Sequence, residues 1–316
     1  MPSLITFGET SAVLVAREIG RMRYCRDFGI RPGGAEATVA VGVRKLGIDS
    51  AWVSALGDDE MGQYILGVVA AEQVDVSRVS ILPGKPTAVF LRERLPGGAA
   101  RHYYYRTGSA FSCFHPDMLD AAFLASARML HLTGITPALS ESCEASMWRA
   151  IEIARGAGAR IVFDPNVRLS LWTREAARPV LERFMAAADI VLPGLEDLQM
   201  LYGDIAPREA LERLRALGCG NIVLKLGEGD VVVAGATGET VVPVRTIADP
   251  VDLMGAGDAF AAGCLTGLLK GWDLVRASEL GVSVASLAIQ LPGNIEAMPS
   301  WAEVERLRTG ATVWNR

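Results

Sequence analysis

The segment Asp252-Leu253-Met254-Gly255-Ala256-Gly257-Asp258 runs directly into an Ala-rich stretch, Ala259-Phe260-Ala261-Ala262-Gly263. A glycine turn that opens into a helix presents unpaired backbone N–H groups at the positive end of the helix dipole, and glycines let the backbone approach an anion closely. Gly255, Ala256 and Gly257 therefore read as a candidate cradle for an anion such as a phosphoryl group. Asp258 falls in the first turn of the same helix. A carboxylate there repels phosphate, but it is well placed to take a proton from a hydroxyl that attacks it. The residue could equally be a helix-capping aspartate, worth about 1 kcal/mol and doing no chemistry. On these residues alone both readings stand.

A second glycine-bearing stretch, Lys225-Leu226-Gly227-Glu228-Gly229-Asp230, separates apolar runs at 222–226 and 231–234. It reads as a hairpin turn, and such a turn can also bring its backbone against a ligand. Transition-metal chemistry has little to work with. The only histidines are His102, His115 and His131, and there is no H-E-x-x-H. Cys25, Cys113, Cys143, Cys219 and Cys264 are scattered, odd in number and lack a C-x-x-C pair, which argues against a zinc site or disulfide framework and fits a reducing cytosol. A net charge of −5 offers no basic excess for nucleic acid or an anionic membrane surface. The opening Met-Pro-Ser-Leu-Ile-Thr-Phe-Gly-Glu lacks the features of a signal peptide, and no run reaches about 18 apolar residues. The expectation is a cytoplasmic protein without a membrane span.

These candidates must be held by ordered elements. Half of the 316 residues are hydrophobic and 21% are charged, enough for a substantial core. Short apolar runs at 4–7, 50–55, 129–133, 160–164, 190–193 and 221–225 read as buried strands. Helical patterns at 36–46, 140–156, 174–187 and 207–217 lie between them, and two more close the chain at 257–270 and 274–290. Repeated strand–helix–strand units predict an α/β fold, a doubly wound, mostly parallel sheet with helices on both faces. Two stretches break the rhythm, at 11–30 and 87–105. Ala88-Val89-Phe90-Leu91-Arg92-Glu93-Arg94 and Arg101-His102-Tyr103-Tyr104-Tyr105 flank the turn Pro96-Gly97-Gly98, and so predict a hairpin. Such insertions build either a small β-sheet lid or antiparallel edge strands of the main sheet, and the lid is the expectation.

Taken in order, three motifs resemble the signatures of the ribokinase-like (PfkB) family of carbohydrate kinases. Gly33-Gly34-Ala35-Glu36-Ala37-Thr38 is similar to its G-G-x-x-x-N, Leu56-Gly57-Asp58-Asp59-Glu60-Met61-Gly62 to an internal stretch, and the segment 252–258 to its D-T-x-G-A-G-D. The similarity runs over nearly the whole chain. It implies a single ribokinase-like domain, 1–316, with lid insertions at approximately 11–30 and 87–106. It also implies an ATP-dependent kinase that uses Mg²⁺, with K⁺ as a further possibility, and with Asp258 as base for a sugar hydroxyl. Within the family, Tyr103-Tyr104-Tyr105-Arg106, Asp164-Pro165-Asn166-Val167-Arg168 and Leu192-Pro193-Gly194 resemble the kinases of keto-deoxy sugar acids. A sugar acid needs a cation for its carboxylate, and Arg106 and Arg168 are the candidates. Alternate strand residues share a face, so Tyr103 and Tyr105 are grouped as one sugar-contacting pair.

The resemblance further implies that Gly33, Gly34 and Thr38 meet the sugar, and that Asn166, Lys225, Gly227, Gly229, Gly255 and Gly257 surround ATP. Glu196 or Asp197 would orient Mg²⁺ through water, and Asp252 would lie beside a monovalent cation. This chain departs from the family at Thr38, where Asn is usual, and at Leu253 and Met254, where threonines are common. Those changes bear on substrate and cation rather than on phosphoryl transfer. Kinases of fructose-like sugars or nucleosides, or a catalytically silent sugar-binding protein, are the rival readings, separated by ADP release across a substrate panel. Pairing of exposed apolar lid faces predicts a homodimer.

Overall fold

The computed structural model describes residues 1–227, 229–236, 238–244, 247 and 250–310. Thirteen strands occur among them: β1 (Leu4–Phe7), β2 (Ser11–Ile19), β3 (Phe28–Gly33), β4 (Ser50–Gly57), β5 (Val79–Leu82), β6 (Val89–Arg94), β7 (Ala100–Tyr105), β8 (Met129–Thr133), β9 (Arg160–Asp164), β10 (Ile190–Val191), β11 (Ile222–Lys225), β12 (Val231–Gly235) and β13 (Gly238–Val242). The helices are α1 (Ala35–Lys45), α2 (Glu60–Ala71), α3 (Ala121–Leu124), α4 (Glu141–Gly156), α5 (Arg174–Ala187), α6 (Leu195–Tyr202), α7 (Pro207–Ala216), α8 (Ala256–Leu269), α9 (Leu274–Ala288) and α10 (Trp301–Thr309). Among the described residues no helix is long and apolar enough to cross a membrane.

The main sheet has the order β13-β12-β11-β10-β9-β8-β1-β4-β5. Its pairings are parallel from β5 through to β11, while β12 pairs antiparallel with both of its neighbours. Period-two alternation decides which side chain meets which layer. In β9, Ile161 and Phe163 point into the layer formed with α4, α5, α6 and α7, whereas Val162 points into the layer formed with α1, α8 and α9. The expected doubly wound fold with both faces covered is what the chain forms.

A separate sheet, ordered β3-β2-β6-β7, is built from the two stretches that interrupt the helical rhythm. The Pro96-Gly97-Gly98 turn joins β6 and β7 as the expected antiparallel hairpin, with Phe90 opposite Tyr104 and Arg92 opposite His102. Neither stretch joins the main sheet.

Helix α8 is buried along nearly its whole length because glycines let it press against α9. A Cβ on Gly263 would lie 2.8 Å from the Gly281 Cα, and one on Gly267 would lie 2.8 Å from the Ala277 Cα. The close crossing fixes α8 in the core and so fixes where its first turn emerges.

Candidate active site

Several loops that follow parallel strands meet the first turn of α8, at the carboxyl edge where open α/β sheets bind ligands. Gly255 is the N-cap of α8, with φ of 82°, a left-handed conformation that suits glycine. A side chain there would also press on Asn294, whose Oδ1 lies 3.2 Å from the Cβ position. The capping aspartate reading does not describe Asp258, which sits inside the first turn while Gly255 holds the cap. The Asp258 carboxyl is pushed up to about 7, chiefly by burial and then by the Asp164 carboxylate, with Arg168 and Lys225 acting in the opposite sense. A carboxyl poised near neutrality in a cleft suits a general base.

Lys225 ends β11 beside this turn. Its Nζ donates to Asp164 Oδ2 over 2.7 Å and lies 3.7 Å from the Cβ position of Gly257. Burial works against the ammonium, but Asp164 and Asp197 outweigh it and keep its pKa raised. A charged amine thus stands against the helix mouth. Gly227, with φ of 70°, and Gly229 form the turn beyond β11, and Glu228 between them lies outside the described residues.

The loop after β9 is bent sharply. Asn166 has φ of 36°, and its N–H is held 3.1 Å from Asp164 Oδ1. Asparagine tolerates this left-handed region, and strained positions of this kind gather at functional sites. Asp197 clamps the loop: Oδ1 accepts from Val167 N at 2.7 Å and Oδ2 from Gly194 N at 3.0 Å. Both oxygens are therefore used structurally. Glu196 beside it is exposed and reaches toward the turn after β11, with Oε1 3.9 Å from the Cβ position of Gly227.

On the other side of Asp258 the cleft is lined by the small sheet and by α1. Gly33 and Gly34 let β3 pass close to β2, because Cβ atoms there would collide with Val13 and with Thr10. Thr38 is fully buried in α1. Arg106 donates through Nε to Glu9 Oε2 at 2.8 Å, and Ser109 donates to Glu9 Oε1 at 2.6 Å. Arg168 lies at the surface, near enough to Asp258 and His102 to lower the pKa of each.

The aromatic run divides as alternation requires, but the cleft receives the other member. Phe90, His102 and Tyr104 pack edge-on and tilted against one another on one face of the small sheet, the face that carries Arg92 to Asp252, and the Tyr104 ring lies 5.7 Å from the Arg106 guanidinium. Tyr103 and Tyr105 are on the opposite face with Arg21, Met22 and Arg23, where Tyr103 donates to Glu93. They do not join the cleft. Asp252 accepts both arms of the Arg92 guanidinium, at 2.8 and 2.9 Å.

Two further acids line the cleft; the sequence assigned neither a role, although Glu36 lies within the 33–38 stretch that resembles a family signature. Glu9 holds Arg106. Glu36 is buried against Gly8, accepts from Thr133 Oγ1 at 2.7 Å, and is pushed up to about 7 by burial above all, with a smaller contribution from Asp258.

The sequence pattern of the pfkB family carbohydrate kinases matches residues 1–301. The chain belongs to this family. A pfkB carbohydrate kinase transfers a phosphoryl group to a sugar hydroxyl. Among relatives, the 2-dehydro-3-deoxygluconokinase of Bacillus subtilis is 33% identical over 94% of this chain and 92% of its own. The enzyme of that name from Thermoproteus tenax is 36% identical over 97% of this chain and 94% of its own. A sugar kinase from Pyrococcus horikoshii, solved in complex with ATP, superposes with a TM-score of 0.81 at 27% identity, covering 95% of this pfkB kinase and 96% of that chain.

Proposed function

We propose that this pfkB kinase transfers the γ-phosphoryl group of ATP to a hydroxyl of 2-keto-3-deoxygluconate. The observation that carries the reading is Asp258, a carboxyl held near neutrality one turn inside a glycine-capped helix with the Lys225 amine beside it. Two relatives bear the name of that activity across nearly their whole lengths, which supports the choice of sugar acid.

In this mechanism the sugar lies between Gly33, Gly34 and Thr38 on one side and Tyr104 on the other. Arg168 takes its carboxylate. Glu9 presents Arg106 with Nε and Nη2 committed, leaving the Nη1 edge of the guanidinium for the sugar. Asp258 accepts the hydroxyl proton as the oxygen attacks phosphorus. The amides of Gly255, Ala256 and Gly257, with Lys225, hold the transferring group's oxygens, and donors aimed at developing charge are worth several kcal/mol in such sites. Asn166, Gly227 and Gly229 border the remaining phosphates. Mg²⁺, when bound with ATP, neutralises phosphate charge. The free carboxylate of Glu196 fits its water shell, whereas Asp197 is spent on two backbone amides.

The cytoplasm suits the five free cysteines. A homodimer would cover the outer face of the small sheet, where Tyr105 is well exposed.

The test is ADP release with a panel of sugar acids, neutral sugars and nucleosides, run on the native enzyme and on Asp258→Asn. The keto-deoxy sugar acid should give the highest kcat/KM, and the variant should lose about 10³-fold in kcat while keeping ATP affinity. Near-native turnover in Asp258→Asn would remove Asp258 from this role.

A further inference from the structure

The resemblance to the carbohydrate kinases implies a monovalent cation beside Asp252, and the donor set there does not fit one. Asp252 Oδ1 accepts from Arg92 Nη2 at 2.9 Å and from Met254 N at 3.1 Å. Its Oδ2 accepts from Arg92 Nη1 at 2.8 Å, with Gly293 N a further donor at 3.5 Å. Each carboxylate oxygen already faces two N–H donors. The Asp252 carboxyl stays ionised, for although burial pushes it up, the hydrogen bonds from Arg92 and Met254 bring it below the usual carboxylate range. A paired guanidinium supplies the same unit of positive charge that a bound alkali ion would. Asn294 Oδ1, buried without a partner near Gly255, is a neutral oxygen and offers only one donor.

The arginine comes from far away in sequence, and from the other sheet. Arg92 is on β6 of the small sheet and Asp252 is 160 residues later, three residues before the N-cap of α8. The pair is largely buried, with side-chain exposures of 17% and 8%. A bidentate guanidinium–carboxylate pair fixes orientation as well as charge. A second arginine of the small sheet reaches the same region: a Cβ on Gly293 would lie 2.6 Å from Arg31 Nη1 and 2.6 Å from Glu296 Oε2. The small sheet is therefore pinned to the loop 252–255 through Arg92, and Arg31 lies against the neighbouring loop 293–296.

We propose that the Arg92 guanidinium is a built-in cation at Asp252, which makes the helix mouth independent of monovalent salt and lets the seated small sheet align it for transfer. The proposal rests on the kinase reading above. Arg92 is a positioning residue, acting on the Gly255–Gly257 amides through Asp252. A tethered charge is present at any salt composition, but only while β6 is seated against the loop.

Cation dependence tests this in two arms. In the first, binding of a non-hydrolysable ATP analogue with Mg²⁺ is titrated without sugar, in potassium or tetramethylammonium chloride at equal ionic strength. In the second, kcat and KM are measured in the same two salts for the native enzyme, Arg92→Met and Arg92→Lys. The native enzyme should bind the analogue and turn over within about twofold in both salts. Arg92→Met should lose tenfold or more in kcat in tetramethylammonium and regain at least part of it in potassium, with Arg92→Lys falling between. If Arg92→Met does not melt cooperatively, Asp252→Asn takes its place, and it too should lose kcat without acquiring a potassium requirement. A tenfold or greater gain in native analogue binding or turnover on adding potassium overturns the proposal. So does a folded Arg92→Met enzyme with native kcat in both salts. The analogue arm needs no sugar to be phosphorylated, so a wrong substrate class and a wrong account of Arg92 give different results.

Discussion

Lys225 Nζ stands 2.7 Å from Asp164 Oδ2 and 3.7 Å from the point where a side chain on Gly257 would begin. One amine therefore closes a buried ion pair and stands beside the proposed phosphate cradle. Its exposure is 17% and that of Asp164 is 8%, so neither charge can turn to water when its partner is lost. Lys225→Met should cost about 3 kcal/mol of unfolding free energy, because it leaves a buried carboxylate uncompensated. Adding Asp164→Asn should restore part of that stability and none of the ATP affinity, which should fall at least tenfold in both proteins. Denaturant melts and calorimetric titration check the two halves separately. Undiminished ATP affinity in Lys225→Met would place the phosphates elsewhere.

The raised pKa of Asp258 sets the direction of the pH–rate profile. A base works only when deprotonated, so kcat should climb about tenfold per pH unit on the acid side and level off above about 7. Asp258→Glu, with its carboxylate displaced, should have a lower plateau but still show a limb of the same sign. A native profile flat between pH 5.5 and 8.5, under conditions where chemistry limits turnover, would argue against a carboxyl in this environment.

How much of this site the sequence disclosed depended on the range of the forces involved. The helix mouth was legible because glycine conformation and helix ends are local matters, and Gly255 and Asp258 lie three residues apart. The strands were legible for a similar reason: the apolar run at 4–7 coincides with β1, and that at 160–164 with β9. Period-two alternation correctly separated Tyr104 from Tyr103 and Tyr105, yet it could not say which face would turn inward. That choice is made where Arg92 of β6 meets Asp252, a contact that no local pattern encodes. Glu9 and Glu36 were silent for the same reason. Glu9 stands in an ordinary stretch and Glu36 at a variable position of the 33–38 motif, and Glu36 becomes unusual only when β1, α1 and β8 bring Gly8, Glu36 and Thr133 together. A signal existed for Glu36, an acid in the first turn of an otherwise small and apolar helix, but it is also what ordinary helix-end electrostatics would select.

Glu36 makes a prediction about stability rather than rate. Its carboxyl is pushed from 4.5 to about 7 in the folded protein, mainly by burial. Between those values the folded chain holds more protons than the unfolded chain, so this group's contribution declines as pH rises through that window and is complete only below it. Each pH unit across the window removes about 1.4 kcal/mol, so the whole decline comes to about 3 kcal/mol. Glu36→Gln keeps an acceptor for Thr133 without the ionisation. It should therefore be more stable than the native chain at pH 8 and show a flatter dependence between pH 5 and 8. Urea midpoints at the two pH values decide the matter, and equal pH slopes in both proteins would contradict a buried, raised Glu36.

The two faces of β7 predict unequal roles for neighbouring tyrosines. Tyr104 packs at a tilt against Phe90 with ring centroids 5.1 Å apart and lies near the Arg106 guanidinium, so it helps present that arginine to the cleft. Tyr103 instead donates to Glu93 on the outer face. Tyr104→Ala removes a cation–π contact and an aromatic pair, together worth about 1–2 kcal/mol, so KM for the sugar should rise about tenfold with a smaller change in kcat. Tyr104→Phe retains the ring and should remain within about threefold of native. Tyr103→Ala should leave KM for the sugar nearly unchanged, because its side chain lies on the side of the sheet away from Arg106. Steady-state kinetics on the three variants with the best substrate of the panel separate the faces. A large KM effect at Tyr103 with none at Tyr104 would mean that the small sheet presents its other face to the sugar when it closes.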